Sequence, residues 1–215
     1  MKKYLASFKT LTKFEKGLWL TSLAVTILSY LLSYLFSGSG DLLNLIASLI
    51  GVTALIFVAK GLVLGQLLTV VFSVFYGIIS VLFSYYGEMI TYMCMSAPAS
   101  FCAFIAWIKN PYTKREVKVS AMTAKKWVLL SLGTVIITVV MYFVLRYFNT
   151  ANLLVSTFSV TTSFMASVLT MLRSPYYALA YALNDIVLIV LWVLASFKDI
   201  SYISVVFCFV VFLVN

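Results

Sequence analysis

Eight stretches of nearly unbroken apolar side chains, most of them long enough to cross a bilayer as a helix, leave this 215-residue chain few ways to fold. The runs are Leu18–Phe36, Leu42–Ala59, Leu62–Ser84, Met89–Ile108, Trp127–Phe148, Leu153–Leu172, Tyr176–Phe197, and Ile200 to the terminus. Hydrocarbon offers no partner to a backbone N–H or C=O, so each run is expected to close its hydrogen bonds internally as a helix. Breaks between the runs carry Gly, Pro or charge: Ser37-Gly38-Ser39-Gly40, Lys60-Gly61, Tyr86-Gly87-Glu88, Asn110-Pro111 and Arg173-Ser174-Pro175. The last run falls below the roughly 17–25 residues of an ordinary span. It predicts a short tilted helix, or a chain that stops before its natural end.

Composition excludes the alternative of a water-soluble domain. Hydrophobic residues make up 64%, charged residues 10%, and the mean hydropathy is +1.11, whereas a soluble domain carries about 25% charged residues. One membrane domain over 1–215 is expected. The net charge of +9 is informative through its placement, because Lys and Arg concentrate on the cytoplasmic side of spanning helices. Alternation from a cytoplasmic N-terminus puts Lys2, Lys3, Lys9, Lys13, Lys16, Lys60, Lys109, Lys114, Arg115, Lys118, Lys125, Lys126 and Arg173 on one side. Only Arg146 and Lys198 fall on the other, with the acidic Asp41, Glu88 and Asp199. Eight spans with both termini cytoplasmic follow. The basic N-terminus precedes an apolar run longer than a 7–15-residue signal core, with no Ala-x-Ala site behind it, so it reads as an uncleaved first helix.

Enzymatic constellations are missing. The chain has no His, which removes imidazole metal sites and Ser-His or Cys-His catalysis. Cys94, Cys102 and Cys208 lie in apolar runs without a CxxC spacing, and no HExxH, GxSxG or phosphate-binding loop occurs. Of six acidic residues only Asp185 lies deep in a run. No catalysis, metal, cofactor or nucleic-acid partner is expected.

Asn184-Asp185, at the middle of Tyr176–Phe197, is the strongest functional signal, because an ionisable group at mid-bilayer must face protein or water. Helical spacing puts Tyr177, Tyr181, Asn184, Leu188 and Trp192 on one face, offering aromatic walls and an amide to a flat polar heterocycle. Asp185 stands about 100° further round, where a packing role is expected. The preceding run carries a hydroxyl stripe of Ser156, Thr157, Ser159, Thr161, Thr162, Ser163, Ser167 and Thr170. Such residues also serve close helix packing, and interhelical glue is the bland alternative for both features. Thr161 and Ser163 are taken as candidates, with Gln66, Tyr76 and Asn44 from the earlier runs. Glu88 reads as a solvated carboxylate at the outer mouth.

The runs group as an N-terminal helix (1–37), a triplet (42–108), a loop and linking helix (109–150) and a second triplet (153–215). Two like-oriented triplets would form a parallel repeat, an arrangement common in transporters. Several stretches in order resemble the bacterial nicotinamide riboside transporter family, PnuC. They are Leu49-Ile50-Gly51, Gly65-Gln66, Val74-Phe75-Tyr76-Gly77, Tyr86-Gly87-Glu88-Met89, Trp107-Ile108-Lys109-Asn110-Pro111, and Asn184-Asp185 through Leu191-Trp192. The family's substrate motif falls on Ala178, Tyr181, Asn184 and Asp185, with Ala178 and Tyr181 in place of tryptophans. The resemblance implies a 3+1+3 helical plan in the bacterial inner membrane, a homotrimer, and facilitated movement of nicotinamide riboside or a related vitamin precursor. Thiamine or riboflavin carriage, or service as the substrate-binding subunit of an ATP-driven importer, stand as alternatives.

Overall fold

The first helix begins before its apolar run, and its cap shows why. Thr12 Oγ1 accepts the Glu15 N–H at 3.2 Å while Glu15 Oε2 accepts the Thr12 N–H at 2.6 Å. This reciprocal cap satisfies two donors that a helix start leaves free, and α1 runs Lys13–Ser37. The Thr12-x-x-Glu15 spacing is the sequence signal for it.

The computed structural model describes residues 6–37, 42–82, 86–113, 116–198 and 203–214. After α1 come α2 (Leu42–Ala59), α3 (Val63–Leu82) and α4, which is built of Tyr86–Met89, Ile90–Ser96 and Ala97–Lys109. Then follow α5 (Ala124–Tyr147), α6 (Leu153–Met171), α7 (Tyr177–Ser196) and α8 (Ile203–Val214). The expectation of eight spans resolves into eight long helices among the described residues, of which α2 to α7 are long and apolar enough to cross a membrane. Helix α8 has 12 residues, fewer than a span needs when untilted. Lys2, Lys3, Asp41, Lys114, Arg115 and Asp199, with the Gly38-Ser39-Gly40 break, Ser84 and the start of the last run, lie outside the described residues.

Helices α2 and α3 form a tight hairpin, as do α6 and α7, and α8 returns onto α7, α1 and α2. The first hairpin depends on two glycines. Gly61 turns the chain at φ +72, and a Cβ on Gly65 would lie 2.5 Å from the Val58 backbone nitrogen, so only Gly allows that approach. Helix α4 packs on both α3 and α6 and so joins the two groups. Helix α5 leans chiefly on α6 and exposes Leu129, Leu132, Val135, Ile136 and Phe143, a surface suited to lipid.

The loop between α4 and α5 is a strap. Val117 N–H donates to Gly61 O at 2.9 Å and Ser120 N–H to Arg173 O at 2.9 Å. Arg173 donates to Lys118 O at 3.1 Å, and Trp107 Nε1 to Thr170 O at 3.0 Å. The turn of the first hairpin, the strap and the α6–α7 turn thus meet at one end of the bundle, with Lys60, Lys118 and Arg173. The same-side grouping of those residues is a feature of the fold.

Candidate functional site

Helices α2, α3, α4, α6, α7 and α8 enclose a cavity near their mid-lengths. It holds roughly 620 Å³ of empty space, open solvent at its mouth included. Helix α7 supplies Tyr181, Asn184 and Asp185; α6 supplies Ser163 and Ser167; α4 supplies Tyr92, Ser96 and Ser100. Opposite them stand Gly51 and Val58 of α2, Thr69, Phe72 and Ser73 of α3, and Phe209 and Phe212 of α8. The wall is a row of serines facing aromatic rings, with one carboxylate and one amide between them.

Asn184 is oriented by α6. Thr162 Oγ1 and Ser163 Oγ donate to Asn184 Oδ1 at 2.8 and 2.9 Å, and all three groups are buried. With its carbonyl so held, the amide NH₂ is the group left for a ligand. Asp185 also lines the cavity, so the 100° step does not take it into packing; the cavity wraps round the edge of α7. Its carboxylate is buried and takes no side-chain hydrogen bond from the described residues. Ser73 Oγ, fully buried in the same wall, has no partner among them either.

The other sequence candidates are placed as follows. Tyr177 is on the inner face but turned to the base of the cavity, donating its hydroxyl to Val58 O at 2.8 Å and facing the Trp107 ring at 6.1 Å. Tyr76 belongs to an aromatic roof, its ring 4.5 Å from Tyr92 and 5.6 Å from Phe72. Trp192 is buried beside that roof and lines a separate cavity. Gln66 is 0% exposed, one turn from Thr69 towards Lys60, and both of its amide atoms lack a partner among the described residues. Thr161 points away from the cavity: its hydroxyl pairs with Thr138 of α5 at 2.8 Å, one residue round the helix from Thr162. Ala178 is exposed on the outer surface, so its small side chain removes nothing from the wall. Sequence reasoning missed Ser96, Ser100, Thr69, Ser73 and Phe72. The i, i+4 pairs Ser96/Ser100 and Thr69/Ser73 were their signal, unread because hydroxyls are common in packed membrane helices.

Six helices thus enclose a polar centre within a membrane bundle, and comparison with known proteins gives the family. The family described as Nicotinamide mononucleotide transporter matches residues 41–215, and the chain belongs to it. It is 28% identical over 159 residues to the nicotinamide riboside transporter PnuC of Neisseria mucosa, covering 72% of this chain and 60% of that relative. The chain thus spans about 60% of the length of the curated relative it matches. The crystal structure of the vitamin B3 transporter PnuC aligns with a TM-score of 0.81 at 26% identity, over 100% of this chain and 91% of that one. The all-helical membrane fold and the family anticipated from the sequence are borne out.

Proposed function

We propose that this chain carries nicotinamide riboside, or a close vitamin precursor, passively across the bacterial inner membrane. The observation that carries the reading is the lining of the central cavity. A nicotinamide N-glycoside has a cationic ring, a carboxamide and ribose hydroxyls. Asp185 offers a counter-charge, the rings of Phe72, Tyr92 and Phe209 offer faces that attract a cation, Asn184 NH₂ meets a carboxamide oxygen, and Ser163, Ser167 and Ser73 meet hydroxyls. The family and its relatives are named for a nucleotide and for a nucleoside. No Lys or Arg is among the cavity's lining residues, and a 5′-phosphate beside an unpaired carboxylate is disfavoured, so the nucleoside is the better fit.

The same reading makes 42–108 and 153–215 two like-oriented triplets about the site, joined by α5. It puts the strap and both termini in the cytoplasm by the positive-inside rule, and makes the working unit a homotrimer. Proteoliposomes containing only this protein test it. Labelled nicotinamide riboside should enter until inside and outside concentrations match and no further, and the mononucleotide should stay out. Uptake no faster than in empty liposomes, or equal entry of the mononucleotide, overturns the reading.

A further inference from the structure

A second cavity opens at the opposite end from the strap, where α4 begins and α5 and α7 end. It holds roughly 590 Å³ with its open mouth, and Glu88, Trp192, Leu145, Val160, Ser156 and Lys198 line it. The sequence suggests a solvated Glu88; the fold instead leaves it 6% exposed, with Oε2 buried and without a hydrogen-bond partner among the described residues. Gly87 accounts for the burial. A Cβ there would lie 2.6 Å from Leu145 Cδ2, so the bare backbone lets the start of α4 press against α5 and carries Glu88 in with it. Lys198 shares the cavity but does not pair with Glu88; the salt bridge found among the described residues joins Lys60 to Glu15.

A carboxyl drawn out of water is unfavourable as an anion and takes a proton unless a cation binds beside it. No cluster of three or more metal-binding acidic, Cys or His side chains occurs among the described residues, and the walls are mainly apolar with one indole. Those features suit a flat organic cation better than a metal ion. We propose that this cavity is a second binding site, taking a pyridinium-type cation between Glu88 and Trp192 ahead of the central cavity. Tyr92, one turn from Glu88 on α4, lines the central cavity together with Asp185. The two carboxylates therefore mark successive stations on one path. That the path carries a nicotinamide nucleoside rests on the function proposed above; the site itself does not.

The probe is the N-methylated nicotinamide cation, with uncharged nicotinamide as control, in equilibrium dialysis against the full-length protein in neutral-lipid nanodiscs at low salt. Two classes of cation site are expected. Asn184→Ala should weaken one, and Glu88→Gln the other by about ten-fold or more, with nicotinamide binding unchanged by Glu88→Gln. Lys198→Glu, a change at an exposed position, should tighten the second class several-fold. A folded Glu88→Gln protein that binds the cation as the parent does overturns the proposal, and so does a Lys198→Glu protein whose cation binding is unaltered. If the wild type moves no nicotinamide riboside yet keeps the Glu88-dependent class, the transport reading falls and this one stands.

Discussion

Asn184 works through its neighbours. Two hydroxyls from α6 hold its oxygen, so deleting the amide and freeing it are different experiments. Losing a buried hydrogen bond costs about 1–3 kcal/mol. Asn184→Ala should therefore weaken nicotinamide riboside binding by about five- to 150-fold in calorimetric titration, with expression intact. The double change Thr162→Val and Ser163→Ala leaves the amide in place but unaimed, and should weaken binding by less. Asp185→Asn should erase the preference for the cationic ring over uncharged nicotinamide. That Tyr177, Tyr181, Asn184, Leu188 and Trp192 share a face was legible from helical periodicity; that Trp192 opens on a different cavity from Tyr181 and Asn184 was not. Thr161 was not separable from Thr162 in that way. One residue turns a side chain by about 100°, and only the position of α5 decides which hydroxyl faces a cavity and which faces a neighbour. Glu88 was misread for a related reason: a loop carboxylate looks solvated until the packing of Gly87 is known.

Among the elements, α4 departs most from its apolar run. Pro98 lacks an N–H, and its ring would strike the carbonyl of Cys94 in a regular helix. The helix widens instead into a π-helical stretch, Ile90–Ser96, in which Ala97 N–H reaches back to Tyr92 O. A wide turn of this kind recurs at functional sites; here it sets the angle between Glu88 and Tyr92 on one side and Ser100 on the other. Pro98→Ala removes the cause. Restored α-helical register should turn Tyr92 relative to Ser100, and transport should fall with the protein still folded, as circular dichroism would report. At the foot of α1, burial raises the Glu15 carboxyl, but the hydrogen bonds from Lys60 and Thr12 outweigh it and hold the group below its ordinary value. Stability from a carboxyl lowered on folding is full above its unfolded value of about 4.3, and is lost as pH falls through the lower folded one. Lys60→Gln should thus lower the melting temperature in detergent at neutral pH, and the gap from wild type should close in acid below about pH 4.

At the scale of the whole molecule, the grouping of Lys60, Lys118 and Arg173 at one end was the legible part. Single cysteines introduced at Lys60 or Lys118 should resist an impermeant thiol reagent applied to intact cells, while those at Thr150 or Lys198 react. The reverse pattern would turn the protein over in the membrane. The strap was not legible. Its contacts, such as Val117 to Gly61 and Ser120 to Arg173, join residues whose proximity exists only after the hairpins have packed, and a run of Lys and Arg gives no hint of them. One such cross-bundle contact bears on how the protein is made. Trp107 Nε1 donates to Thr170 O, 63 residues later in the chain. At a synthesis rate of about 5–20 residues per second, the ribosome takes roughly 3–13 seconds to supply that acceptor. Through that interval the indole N–H, at the strap end of α4 beside Lys109, has interfacial water as its partner, so the two halves are tied together at that end only once α6 has packed.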